Sequence, residues 1–200
     1  MQEADYWYAV RAMRMQVADL LASLAPAQWE APSLCRGWTV RDVAGHLALV
    51  PTITTGQMLT AAPRAGFNPH RINTLMAKRR AAADPGDIIA AIRAHAGSRH
   101  TAAALDSRDA LFDVAVHSQD IAVPLGIDFP VPPEYSRDGL DRVWAMNWPF
   151  RARRRLAGRT LRATDTDWTV GSGPEASGPA LALLLLLTGR TEAAAPALRQ

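Results

Sequence analysis

Between residues 5 and 24 apolar side chains return at steps of three and four: Trp7, Val10, Met13, Val17, Leu20 and Leu21. That spacing predicts a helix with one buried stripe. Pro26 and Pro32 then bound a loop, with Trp29 and Trp38 as its anchors. Thr39 opens a second helix: its hydroxyl can accept a first-turn backbone N–H, and Asp42 adds negative charge there. His46 shares the inward side of that helix with Val43, Leu47 and Val50. Pro51 should stop or kink it, because proline lacks the N–H and crowds the carbonyl of Leu47. Residues 52–66 are small and polar and are expected to form a loop through Pro63 and Gly66. A more polar helix is expected from Asn68 to Ala83, resting on Ile72, Leu75 and Met76. Asp84-Pro85 signals the next start. That helix is expected to run to about Ala104, with Ile88, Ile89, Ile92, His95 and Ala96 along one side. Ser107 is expected to cap the following helix, which Pro124 and Gly126 end.

Each element predicted so far is helical and the connections are short, which predicts a helical bundle. From Ile127 the character changes. The stretch IDFPVPP connects to one more helix, Pro133 to Met146, followed by an arginine-rich turn. Leu161–Thr164 and Trp168–Gly171 are expected to pair as strands. Gly171, Gly173, Pro174 and Gly178 supply turns before a leucine-rich helix that ends at Gly189. The expected fold is mainly α: a helical bundle over residues 1–126 and a small α/β appendage over 127–200. The appendage is near the lower size limit for folding alone and should pack on the bundle. No internal repeat is visible.

Composition narrows the class. Hydrophobic residues are 48% and charged residues 20%, so the chain can bury a core and is not a disordered polymer. Lys and Arg number 22 against 19 Asp and Glu, a surplus of only three, so the pI of 9.6 is weak support for a polyanionic partner. The single cysteine, Cys35, excludes an intramolecular disulfide and a multi-cysteine zinc site. The opening MQEADYWYAV shows no secretory pattern, and the apolar run Ala180–Leu187 is far short of the ~20 residues of a membrane span. A soluble, cytoplasmic protein is expected.

The chemistry concentrates in two stretches. Asp113 and His117 are four apart, so a helix stacks them on one face, and Asp120 extends the same stripe three residues on. With His46 from the earlier helix, Asp113 and His117 offer two imidazoles and a carboxylate, enough to hold a divalent metal with one position open. A hydrogen-bonded Asp–His pair at a helix surface, and a core histidine at position 46, would fit the spacing equally well. Asp42 repeats the Asp-x-x-x-His spacing before His46, although its first-turn position suits helix-end stabilisation better. His95 and His100 fall about 140° apart around a helix and make poor co-ligands. His70 lies in a polar stretch and should be solvated. Cys35 is either a nucleophile or a small buried residue of a Trp-flanked loop. The run Arg151–Arg159 would suit phosphate or an anionic small molecule, yet it lacks interleaved aromatics and such runs are usually solvated.

Three stretches, PSLCRGWTVRDVAGHLA, DVAVHSQDIAVPLG and LRATDTDWTVGSGPEASGPALALLLLLTGR, follow one another in an order that resembles the mycothiol-dependent maleylpyruvate isomerase family. The resemblance covers most of the chain and implies a DinB-like metal-binding four-helix bundle with a small C-terminal α/β domain. It implies three metal ligands, which fall on His46, Asp113 and His117. The family's acidic ligand is usually glutamate, so Asp113 is a departure, and Asp120 becomes a candidate substitute or a partner behind the ligands. The resemblance further implies zinc as the metal and mycothiol or a similar thiol as co-substrate. It also implies an arginine presented by the appendage to an acidic substrate, for which Arg190 is the candidate.

The leading expectation is a metal- and thiol-dependent enzyme, an S-transferase or a cis–trans isomerase acting on a small electrophile. The alternative is a non-catalytic binding or sensing module that keeps the bundle. Nucleic acid ranks last as a partner and a membrane is not expected; a monomer or a homodimer is.

Overall fold

The computed structural model describes residues 1–101, 106–146 and 148–199. The first helix, α1 (Glu3–Ser23), buries Val10, Met13, Val17, Leu20 and Leu21 as the periodicity predicts, and also buries Arg14. A short helix, α2 (Pro26–Trp29), interrupts the expected loop and brings Trp29 into the core at 2% exposure. Helix α3 (Val40–Leu49) starts as expected: Thr39 Oγ1 accepts from the Asp42 N–H at 3.2 Å, while Asp42 Oδ2 accepts from the Thr39 N–H at 3.0 Å. These reciprocal bonds satisfy two orphan donors of the first turn. At Pro51 the helix gives way to a 3₁₀ turn, Val50–Thr52.

The loop expected over 52–66 contains a helix, α4 (Thr55–Ala61). Thr54 and Gln57 cap it reciprocally, at 3.2 and 2.9 Å. None of its residues is buried, so it carries no apolar stripe by which a sequence could announce it. Helix α5 (Pro69–Ala81) lies against α3 through Met76, Ala77 and Ala81, whereas Leu75, expected inside, is 39% exposed. The two helices approach closely where α3 has Gly45: a Cβ there would stand 2.7 Å from the Ala77 carbonyl oxygen and from the Ala81 nitrogen.

Helix α6 (Pro85–Ala94) is shorter than the expected run to Ala104, a residue that falls in 102–105, outside the described residues. Its end is held by Arg14, whose Nη1 donates to the carbonyls of His95, Ala96 and Ser98 at 3.5, 3.2 and 2.8 Å. Carbonyls that would have continued the helix are thereby satisfied from α1. Helix α7 (Ser107–Ala122) is capped by Asp106, not Ser107: the Asp106 side chain accepts from the N–H groups of Arg108 and Asp109. Ser107 is the first helical residue, and its hydroxyl donates to Glu3 at 2.7 Å, tying α7 to the start of α1. Helices α1, α3, α6 and α7 enclose the first core, which includes Val43, Leu47, Ile88, Ile92, Leu111 and Val114.

Helix α8 (Pro133–Ala145) connects the two parts, packing on α7 and on the leucine-rich helix near the C-terminus. After the short α9 (Ala152–Arg155) come β1 (Thr160–Ala163) and β2 (Thr169–Gly171), antiparallel with Leu161 opposite Val170. The segment expected to be only turns holds a third strand, β3 (Glu175–Gly178), parallel to β1 with Leu161 opposite Ala176. Its EASG sequence has neither alternation nor β-branched residues. It becomes a strand because β1 supplies hydrogen bonds and a leucine-rich helix covers it. That helix, α10 (Ala180–Leu187), is followed by α11 (Thr191–Ala194) and a 3₁₀ turn, Ala195–Ala197. Leu161, Trp168, Leu183, Leu184 and Leu187 form a second core, into which α7 sends Val116 and α8 sends Leu140 and Val143. Among the described residues no helix is long and apolar enough to cross a membrane.

Candidate metal centre

Helices α3 and α7 meet so that His46, Asp113 and His117 converge. Nε2 of His46 lies 3.4 Å, and Nε2 of His117 3.5 Å, from the same oxygen, Oδ1 of Asp113. The two imidazole rings stand edge to face with centroids 4.7 Å apart, and Trp38 also packs edge to face on His46 at 5.8 Å. Two donor atoms each about 2.1 Å from one tetrahedrally coordinated ion would be about 3.4 Å apart. The observed spacings therefore fit a divalent cation among these three side chains, and aspartate, though shorter than glutamate, already reaches both nitrogens.

Electrostatics agree with that arrangement. Burial opposes ionisation of Asp113, but His46, His117 and Arg14 around it hold its carboxyl down to about 2. Burial likewise disfavours the imidazolium of His46, yet Asp113 prevails and the ring's pKa is raised above its ordinary value. Among the described residues Nδ1 of His46 is buried with no partner at hydrogen-bonding geometry, with Asn73 of α5 among the groups that push its pKa up.

His117 is held quite differently. Its Nδ1 is 2.7 Å from Oδ2 of Asp120, a side chain with no exposure at all. Arg190, at the start of α11, reaches across from the appendage to the same carboxylate, donating from Nε to Oδ1 at 2.9 Å and from Nη2 to Oδ2 at 2.6 Å. Cys35 completes the cluster: its thiol donates to Asp120 Oδ2 at 3.2 Å and its sulfur accepts from Arg190 Nη2 at 3.1 Å. Burial works against the Asp120 anion, but hydrogen bonds from His117 and Arg190 outweigh it and hold the carboxyl well below the usual range.

Among the described residues two groups that could hold a metal share His117: His46, Asp113 and His117 on one side, Cys35, His117 and Asp120 on the other. The second already contains the Arg190 cation against both its oxygen and its sulfur, which disfavours another positive charge there. Asp120 stands behind His117, on the Nδ1 side of its ring. Cys35, with no histidine near it in sequence, comes within 3.9 Å of His117 Nδ1. Burial foremost, then Asp120, pushes its thiol up to about 12, so it is protonated at neutral pH and a poor nucleophile.

The other sequence candidates lie elsewhere. Asp42 belongs to the α3 cap, with Lys78 3.6 Å away. His95 caps α6, and His70 stacks at a tilt on Trp148 with centroids 5.2 Å apart. Within the arginine run, Arg155 donates to the carbonyls of Phe150, Leu186 and Leu187, and Arg153 lies over the Trp144 ring. Those two are engaged within the chain. Arg14 is the residue that the sequence pattern gave no means to single out, since it sits in an apolar stripe between Met13 and Val17.

The fold is similar to two solved structures. One, a crystal structure of the mycothiol-dependent maleylpyruvate isomerase, superposes with a TM-score of 0.66 at 15% identity, covering 95% of this chain and 90% of that one. The other, a histidine-to-alanine mutant of the mycothiol-dependent maleylpyruvate isomerase, gives a TM-score of 0.68 at 14% identity and covers 99% of this chain and 92% of that one. At these identities the likeness is one of fold. No curated protein sequence matches. Residues 10–111, slightly more than half of the chain and the part that carries α3 and its histidine, match a family in their own right, and the protein belongs to that family, the mycothiol maleylpyruvate isomerase N-terminal domain family.

Proposed function

We propose that the protein is a metal- and thiol-dependent enzyme, an S-transferase or a cis–trans isomerase, that uses mycothiol or a similar small thiol on a small electrophilic substrate. His46, Asp113 and His117 would hold the divalent ion, and a set with two nitrogens and one oxygen favours zinc. Bound there, the ion would lower the pKa of a coordinating thiol so that the thiolate is present at neutral pH. The protein's residues then have three tasks. His46 and Asp113 meet from separate helices, which fixes the spacing of the site. Trp38 and the first core cover the His46 side and limit the access of water. Cys35 stays protonated, so the attacking sulfur belongs to the small thiol and not to the protein.

A thiolate that adds to a conjugated carbon–carbon double bond turns it into a single bond, about which the substrate can rotate. Expulsion of the same thiolate restores the double bond in the other geometry, which is isomerisation. Uptake of a proton at carbon instead leaves the thiol conjugate, which is transfer. The proposal retains the division into a bundle over 1–126 and an appendage over 127–200.

The observation that supports it is the meeting of both imidazole Nε2 atoms on Asp113 Oδ1 at 3.4 and 3.5 Å. Metal content of the purified protein by elemental mass spectrometry, compared with His46→Ala and His117→Ala, is the first test. Near-stoichiometric divalent metal in the wild type, lost in both variants, with turnover that requires metal and thiol together, is the expected result. Bound metal with no turnover of any electrophile in a broad panel would leave a ligand-binding module. Absence of metal after reconstitution would overturn the proposal.

A further inference from the structure

The side chain expected to greet an acidic substrate is already occupied. A guanidinium has five N–H donors. In Arg190 two go to Asp120, one to the sulfur of Cys35 and one from Nη1 to the Thr188 carbonyl at 2.8 Å. A single N–H remains, on a side chain only 11% exposed. Bidentate capture of a substrate carboxylate would have to strip Arg190 from Asp120 and leave a fully buried carboxylate without its cation, a costly exchange.

What Arg190 does hold is connected to the metal centre. An ionised carboxylate only accepts hydrogen bonds. Nδ1 of His117, 2.7 Å from Asp120 Oδ2, must therefore carry the proton, which leaves the lone pair of the neutral ring on Nε2. Nε2 is the nitrogen 3.5 Å from Asp113 Oδ1. The rotamer of Asp120 that achieves this is fixed from two directions, by the two-point grip of Arg190 and by the Cys35 thiol. Of these, Arg190 alone supplies a charge, and it comes from the appendage, 70 residues along the chain from Asp120. Among the described residues Nδ1 of His46 faces no such carboxylate; Asn73 is the polar side chain that acts on its ring from α5.

We propose that Arg190 is a positioning residue: by clamping Asp120 it fixes the tautomer and orientation of His117, so that docking of the appendage completes the metal centre. The proposal rests on the function inferred above, because it assumes that His117 Nε2 is a ligand. It assigns Arg190 to the assembly of the site and not to substrate capture, and it gives the appendage a task in metal binding that the bundle cannot perform alone.

The test has two arms. In the first, nitrogen-15 NMR of the metal-free wild type, at a pH where His117 is neutral, reads the tautomer directly; protonated Nδ1 is expected, and a protonated Nε2 would overturn the proposal. In the second, Arg190→Met, Arg190→Lys and Asp120→Asn are compared with the wild type for zinc affinity by chelator competition and for the visible spectrum of the cobalt-substituted protein. Loss of an outer-shell partner typically costs about 10- to 100-fold in metal affinity. Arg190→Met and Asp120→Asn should each fall in that range with an altered cobalt spectrum, the double variant should fall no further, and Arg190→Lys should recover part of the loss. Unchanged zinc affinity and cobalt spectrum in Arg190→Met, with a raised KM for an acidic substrate, would make Arg190 a substrate-binding residue and overturn the proposal. If the wild type takes up neither zinc nor cobalt, the metal-dependent function fails, and the tautomer still decides whether the clamp acts on His117.

Discussion

His46 and Asp113 are 67 residues apart in the chain, yet Nε2 of the first lies 3.4 Å from Oδ1 of the second. A separation this long makes a poor hydrogen bond but a good edge of a coordination polyhedron. Asp113→Asn keeps the shape and removes the charge of the one anion among the three side chains. Zinc affinity should fall by more than about 100-fold, beyond the usual cost of losing only an outer-shell partner. Competition with a chromophoric chelator would measure it; an unchanged affinity would place the metal elsewhere.

The proton competes for the same nitrogens. His46 must be neutral to bind a metal, and its pKa is raised by Asp113 against the effect of burial. Zinc affinity should therefore start to weaken above pH 6.5 as the pH is lowered, earlier than for an ordinary histidine. In the metal-free protein the sign is opposite. A raised folded-state pKa contributes stability that is complete below 6.5 and is lost as pH rises through the folded value. Thermal melts of metal-free and zinc-loaded protein across pH 6 to 9 should diverge as the pH rises, and parallel curves would contradict the assignment.

Gly45 lets α5 approach the helix that carries His46. A Cβ there would meet backbone atoms at 2.7 Å, and backbone cannot swing aside as a side-chain tip can. Gly45→Ala gains about 1 kcal/mol in helix propensity, but overpacking costs about 1–3 kcal/mol or more, and a contact this short sets the upper end. A net loss of about 1–2 kcal/mol should lower Tm by several degrees. Zinc affinity should drop too, because α3 must shift to make room. Calorimetry and metal titration of the variant check both.

Arg14 is buried at 4% exposure with three carbonyls on one nitrogen, and it helps hold Asp113 ionised. Arg14→Met preserves length and apolar fit but strands those carbonyls. A loss of about 2–4 kcal/mol is expected from the broken charge-assisted bonds. Denaturant unfolding would measure it, and a neutral result would mean that α6 ends for reasons of its own.

The sequence by itself determined what depends on near neighbours. The stripe of Val10, Met13, Val17 and Leu21 specified α1, the Thr39–Asp42 pair specified the start of α3, and Pro51 its end. The four-residue step from Asp113 to His117 put both on one face of α7 before any packing was known, and Asp120 on the same stripe. Each of these follows from helix periodicity and capping, which act within a turn or two of the chain.

Only the tertiary structure decided what depends on distant partners. His117 has two ring nitrogens, and no spacing says that Asp113 faces one while Asp120 takes the other; the rotamers follow from what packs around the ring. Cys35 and Arg190 are 155 residues apart, and their 3.1 Å contact exists because the appendage docks where α7 presents Asp120. The same docking sets Arg190 against Asp120, the contact on which its proposed role as a clamp rests. The strand EASG and the helix α4 were likewise invisible, the first because its stability comes from β1 and α10, the second because it buries nothing. Local order is encoded where it occurs, whereas a site built from α1, α3, α7 and the appendage exists only once burial of two cores has brought them together.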